Sequence, residues 1–192
     1  MAYMWERDGV RLRPAHPSDW VYFYENFTDS EARFLFYTEA EPPLDGASAR
    51  ARFGRFLRTA EKKGRLDLCI LAEDGRVVGS LDLYDVDRRA GTFQIASYIC
   101  EGERGRGYAK CGMQILLDYA FGELRLHKYN ARIIASNLPS IRLHASLGCR
   151  REGVLSDMFY HGGVYHDLEW WGMTDTEYRE AKKQSDAKRK DK

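Results

Sequence analysis

No stretch of this sequence approaches the roughly 20 consecutive apolar residues that cross a bilayer, and its opening, MAYMWERDG, lacks the apolar run of a signal peptide. Both shortages lead to the expectation of a soluble, cytoplasmic protein that does not engage a membrane. Cysteine is also scarce. Cys69, Cys100, Cys111 and Cys149 stand far apart, and none belongs to a CxxC pair. That spacing argues against a zinc site and offers no disulfide framework, which a chain of 192 residues does not need. The thiols are expected to be reduced, and no metal is expected. An excess of either charge is missing too, with 30 Lys and Arg against 29 Asp and Glu. A formal charge of +1 gives no global reason to expect nucleic acid.

What is present is an ordinary core-forming composition, 44% hydrophobic and 13% aromatic, enough for one domain. GVRLRPA (9–15) alternates like a half-buried strand. HPSDWVYFYENF (16–27) and SARARFGRFLRTAEKKG (48–64) read as helices, separated by the proline-rich FYTEAEPPLDG. LDLCILAE, RVVGSLDLYDV and GTFQIASYIC follow as three strands, the first two joined by the hairpin signal EDGR. AKCGMQILLDYAFGEL is the best helix, with an apolar stripe of Met113, Leu116, Leu117, Ala120 and Phe121. NARIIAS reads as a buried strand and SIRLHASLG as a short helix ended by Gly148; the segment 151–173 reads as two strands meeting at Gly162-Gly163. The fold class is therefore α/β, a mixed sheet of seven strands with about four helices over residues 1–174. Residues 175–192 read as a charged, mostly basic C-terminal tail, solvated rather than bound to nucleic acid.

One stretch resists a purely structural explanation. ERGRGYAK (103–110) places two glycines and two arginines between a strand and the strongest helix. A helix start presents unpaired N–H groups and a partial positive charge, so it is prepared for an anion. Gly105 and Gly107 remove side chains that would hold a phosphate off the backbone, and Arg104, Arg106 and Lys110 add full charges. The sequence GxxxxGK[ST] is absent and GRGYAK is not GxGxxG, so neither the P-loop nor the dinucleotide fingerprint is met.

RGRGYA (104–109) resembles the [QR]-x-x-G-x-[GA] signature of the GCN5-related N-acetyltransferases. The order of elements is that family's order, and the likeness runs from RLRP to WWGM. GSLDLYDVDRRAGTFQI, LLDYAFGELRLHKYNARI, NLPSIRLHASLG and GVLSDMFYHGGVYHD are most similar to the branch holding spermidine and ribosomal-protein N-terminal acetyltransferases. The resemblance implies a mostly antiparallel sheet and acetyl transfer from acetyl-coenzyme A to an amine. It implies that the main chain of Arg104, Gly105, Arg106, Gly107, Tyr108, Ala109 and Lys110 holds the pyrophosphate. It places the pantetheine arm along Ser97, Tyr98 and Ile99, with Asn137 and Ser140 also at the cofactor.

The acceptor amine must lose a proton before it attacks, since an alkyl ammonium has a pKa near 10. Asp82 or Asp85, on the strand expected to border the amine, are candidate bases; Asp82 shares a face with Tyr84, a candidate substrate contact. Glu39 and Glu41, in the proline loop, are candidates for attracting a cationic amine. The departing thiolate calls for an acid. Where the family's spermidine enzymes carry a tyrosine, this sequence has His144, an alternative acid or a groove-lining histidine. A polyamine or other small amine is the expected acceptor. A protein N-terminus, an aminoglycoside, or a coenzyme A-binding module without turnover remain the alternatives, and a homodimer or larger homo-oligomer is expected.

Overall fold

A computed structural model describes residues 4–26, 30–35, 44–62 and 64–190. Glu39 and Glu41 lie outside the described residues. The elements follow in the order β1 (Glu6–Arg7), β2 (Val10–Pro14), α1 (Trp20–Asn26), α2 (Ser30–Leu35), α3 (Gly46–Lys62), β3 (Leu66–Leu71), β4 (Val77–Asp87) and β5 (Thr92–Ile99). After these come α4 (Tyr108–Asp118), β6 (Lys128–Ile134), α5 (Leu138–Leu147), β7 (Arg150–His161), β8 (Val164–Thr174) and α6 (Asp175–Lys190). The described residues thus hold eight strands and six α-helices, against the expected seven and about four. The extra strand, β1, is two residues long and turns into β2 through Asp8 and Gly9, both at positive φ. This is an Asp-Gly hairpin signal of the same kind as EDGR, and it stands in plain view in WERDGVRL.

The chain divides into two units. The first comprises residues 1–86 and 95–116, and its strands run in the order β1-β2-β3-β4-β5. The pairs β1–β2, β2–β3 and β3–β4 are antiparallel. Val10 and Leu12 of β2 are buried while their alternating neighbours are not, and β3 is buried along Leu68–Leu71. Met113, Ile115 and Leu116 of α4 are buried on this unit. On the other helices, Phe23 stacks on Phe53 at 4.7 Å between centroids and Phe53 on Phe56 at 6.2 Å.

The second unit comprises residues 87–94 and 117–192, with strand order β5-β6-β8-β7. Here β5 and β6 are parallel over Thr92↔Lys128 to Gln94↔Asn130, while β6–β8 and β8–β7 are antiparallel. One parallel pair among antiparallel ones makes the mixed, mostly antiparallel character that the sequence leads one to expect. Phe93, Phe121 and Tyr129 pack at 5.2 and 5.5 Å between ring centroids, and Tyr178 joins Phe121 at 5.4 Å.

Tyr178 belongs to the segment read as a solvated tail, and it is buried. That expectation is corrected. Residues Asp175–Lys190 form a helix whose start carries a capping box: the Glu177 carboxylate accepts from the Thr174 N–H at 2.7 Å, and Thr174 Oγ1 accepts from the Glu177 N–H at 3.3 Å. Asp118 then accepts from the Tyr178 hydroxyl and from Lys182 Nζ, at 2.9 and 2.7 Å. The TDTE that starts this helix looks polar by composition, yet its spacing is a helix signal.

A polar pair lies in the second unit's core. Tyr129 is fully buried and His144 is 4% exposed, and the Tyr129 hydroxyl stands 2.9 Å from His144 Nε2. His144 Nδ1 lies 2.8 Å from the Ser140 carbonyl, which can only accept, so Nδ1 carries the proton and Nε2 accepts from Tyr129. Burial pushes the imidazole below its ordinary value, with the Ser140 bond opposing it. The ring is therefore neutral inside, while in the unfolded chain it protonates as pH falls through 6.5. Unfolding then takes up a proton, so stability drops on the acid side of 6.5.

Two outcomes follow for denaturation experiments. Thr174→Ala is expected to cost about 1 kcal/mol, or about 3 °C in Tm, through loss of the cap. His144→Phe is expected to cost about 2 kcal/mol at pH 8 by removing the buried hydrogen bond between Tyr129 and His144. It should also flatten the loss of stability below pH 6.5, read by urea unfolding at several pH values.

Candidate active site

The glycine stretch forms the turn that its composition calls for. After β5 comes one 3-10 turn, Glu101–Glu103, then extended Arg104, then Gly105 and Gly107 at φ +79° and +84°. These are left-handed conformations that a Cβ disfavours. A Cβ added at either glycine would meet no atom within 4 Å, so the backbone angle and not crowding calls for glycine. The Gly107 carbonyl accepts from the Cys111 N–H at 3.0 Å and so begins α4. The N–H groups of Tyr108, Ala109 and Lys110 belong to the first turn, which has no acceptor one turn back, and glycine brings no side-chain cap. Around them, Arg104 Nε donates to the Ile99 carbonyl at 3.2 Å. Arg106 and Arg76 share the Glu103 carboxylate, at 3.2 and 2.7 Å, and Arg76 also pairs with Asp74 at 2.6 Å. The turn fits a diphosphate.

Ser97, Tyr98 and Ile99 lie on β5 just before this turn, all half-buried. The strand is held close to β4: a Cβ at Gly79 would collide with the Tyr98 carbonyl and come within 2.7 Å of Ile99 Cδ1. Glycine at 79 is thus what lets the β5 backbone approach.

Asp82 and Tyr84 are half-buried on β4, whereas Asp85 is exposed with φ +49°. The two alternative bases are separated by this: Asp82 turns into the unit and Asp85 does not. Asp82 stands opposite Asp67 in the β3–β4 register. Arg65 joins them, with Nε 2.7 Å from Asp67 Oδ1 and Nη2 2.8 Å from Asp82 Oδ2. The guanidinium also lies 4.6 Å from the Phe56 ring centroid and 5.8 Å from that of Tyr84. Burial pushes the Asp82 carboxyl up to about 7; Arg65 opposes the rise and the neighbouring Asp67 adds to it. A carboxyl poised there can take a proton at neutral pH. Next along β3, Cys69 is fully buried and its Sγ lies 3.4 Å from Asp19 Oδ2. Asp19 is held in turn by both Arg13 nitrogens, at 2.7 and 2.8 Å. Burial, and then Asp19, push the Cys69 thiol up to about 12, so it is no nucleophile. Sequence reasoning missed Arg65, Asp67 and Phe56. The available signal was RLDL facing SLDL across a predicted hairpin, which sets Asp67 against Asp82.

In the second unit, Asn137, Ser140 and His144 come together at the start of α5. Asn137 Oδ1 accepts from the Ser140 N–H at 3.1 Å, and Ser140 in turn holds His144. Both nitrogens of His144 are engaged, and its proton is committed to a carbonyl. Among the described residues, no group of three or more His, Cys, Asp or Glu side chains is arranged to hold a metal, and the four cysteines are free. No helix among the described residues is long and apolar enough to cross a membrane.

Comparison with known proteins identifies the family. The family model for the acetyltransferase (GNAT) domain matches residues 10–150. An uncharacterized N-acetyltransferase, YokL, derived from the SPbeta prophage of Bacillus subtilis, is 29% identical over 174 residues, 91% of this chain and 94% of its own. A spermidine N(1)-acetyltransferase of Escherichia coli is 25% identical over 160 residues, 82% of each chain. The crystal structure of spermidine N-acetyltransferase from Vibrio cholerae, in complex with CoA and spermine, shares the fold at TM-score 0.79 and 17% identity, covering 90% of this chain and 99% of that one. A dodecameric structure of the Vibrio cholerae enzyme matches at TM-score 0.73 and 19% identity, over 90% and 97%. The chain belongs to the GNAT acetyltransferase family and is an acetyl-CoA-dependent N-acetyltransferase that acts on an amine.

Proposed function

We propose that the acceptor is a small cationic amine, a polyamine or a compound like one, and that Asp82 is the base that prepares it. The observation that carries this reading is the half-buried carboxyl of Asp82, raised to about 7 beside a second acid and an aromatic ring. The amine arrives as an ammonium, gives one N–H proton to Asp82, and attacks the thioester as a neutral nucleophile. The glycine turn from Arg104 to Lys110 holds the diphosphate of the coenzyme by main-chain N–H groups, with Ser97, Tyr98 and Ile99 beside the pantetheine arm. Asn137 and Ser140 serve the cofactor from the start of α5. Tyr84 contacts the acceptor, and Glu39 and Glu41, outside the described residues, add negative charge for it. Asp85, exposed in a left-handed conformation, takes no part in the chemistry on this reading. His144 is a buried, neutral support for Asn137 and Ser140 and not the acid that protonates the thiolate. We assign the working state to a homo-oligomer in the cytoplasm.

One observation favours a second reading, transfer to a protein N-terminus. An open groove of about 740 Å³ beside α3 is lined by Trp20, Arg50, Arg55 and Arg58. Such a groove suits the acidic side chains of a peptide better than a polycation.

Thiol release from acetyl-CoA with spermidine, spermine, peptide amines and aminoglycosides decides between the two readings. The first expects the polyamines to give the highest kcat/KM; a peptide ranked above them would overturn it. Gly107→Glu is expected to weaken coenzyme A binding about 100-fold or more in calorimetry, through backbone strain and a misplaced negative charge. Asp82→Asn is expected to lower kcat about 100-fold to 10,000-fold. The wild-type rate should rise with pH through about 7, where Asp82 loses its proton, and the variant should lack that limb.

A further inference from the structure

We propose that Arg65 is a built-in occupant of a cation cage, and that the acceptor's ammonium enters the same cage by displacing it. The inference rests on the amine-transfer reading above, but on residues separate from the glycine turn.

Asp67 and Asp82 face each other directly across β3 and β4, where like charges repel. A single acid would suffice to pair Arg65; the second leaves the group with net negative charge. The floor of the cage is thus two carboxylates, each within 2.8 Å of the guanidinium. Its walls are the rings of Phe56 and Tyr84, at 4.6 and 5.8 Å. Acid floor and aromatic walls together are how a protein recognises an organic cation.

The cage is also open. Arg65 remains 27% exposed on its side chain, and Phe56 is 38% exposed. Arg65 precedes the first residue of β3 and follows Gly64, whose φ is +66° and around which an added Cβ would meet nothing within 4 Å. The arginine therefore hangs from a turn and not from the sheet ladder, free to swing out without breaking strand pairing. Exchange of one cation for another keeps the charge of the cage constant, so the carboxylates are never left bare.

Among the described residues, Asp82 has Asp67 opposite it and Cys69 further along β3, Arg65 on the turn and Tyr84 on its own strand, while Phe56 on α3 lies against Arg65. The Arg13–Asp19 pair lies beyond Cys69. Arg13 and Asp19 neutralise each other, so among these described groups Asp67 and Asp82 are the acids left unpaired when Arg65 leaves. Arg65 holds the Asp82 carboxyl down and Asp67 pushes it up, so each has its own signature in a pH profile.

Arg65→Met tests the cage. With the internal competitor gone, the KM for spermidine should fall about tenfold, since occupancy by Arg65 acts as a tax on apparent affinity. The limb assigned to Asp82 should move to higher pH, and in Asp67→Asn to lower pH. Millimolar guanidinium should raise the Tm of Arg65→Met and compete with spermidine, with neither effect in wild type. An unchanged or higher KM in folded Arg65→Met, or guanidinium that neither stabilises nor competes, overturns the proposal. If Arg65→Met does not fold, Arg65→Lys replaces it. A smaller fall in KM is then expected, because an ammonium bridges the two acids less well, and no fall overturns the proposal. Calorimetry with coenzyme A separates the two levels. Absence of binding in wild type defeats the reading of function, while the guanidinium shift in Arg65→Met still decides the cage.

Discussion

The proposed coenzyme site depends on one constraint of the backbone: the way the chain leaves β5 and enters α4. Two residues at positive φ, Gly105 and Gly107, turn the chain so that α4 begins without a side chain over its first N–H groups. A helix start left open in this way carries partial positive charge at no desolvation cost until an anion arrives. The arginines on either side strengthen the attraction, but the N–H groups give it direction. Glu103 tempers the charge by pairing with Arg106 and Arg76, which keeps the turn from being merely a patch of repelling cations.

The chemistry of the amine makes the opposite demand, a group that takes a proton at neutral pH. An ordinary carboxylate is too acidic, and at Asp82, the proposed base, burial raises the pKa by penalising the charged form. The same penalty destabilises the fold, and Arg65 offsets part of it. The protein thus carries a strained acidic pair at the proposed base and a relaxed acid elsewhere: Asp19 is held by two bonds from Arg13 and lies below the usual carboxylate range despite its burial. Asp19 and Asp82, far apart in sequence but in the same unit, behave oppositely because one has a dedicated arginine and the other shares its own.

Much of this was legible beforehand. Alternation in β2 and β4, the stripe of α4, and the Asp-Gly and Gly-Gly turns all report backbone and burial preferences that act over a few residues. The glycine turn was legible for the same reason. The helical tail was missed because its composition is polar, although TDTE is a capping box and Tyr178 a core residue. His144 was left open between two roles for a different reason. Its place in α5 was plain, but nothing near it in sequence announces Tyr129, fifteen residues away, whose hydroxyl occupies Nε2.

By itself, the sequence determined the order of elements, the anion-seeking turn and the family, because each is written in contiguous residues and short spacings. The tertiary structure alone decided which acid is raised by its surroundings and that both nitrogens of His144 are engaged. Those properties arise when strands come into register and side chains distant in sequence share a buried volume. A pKa depends on that surrounding volume and not on the residue type, so no local pattern could have supplied it.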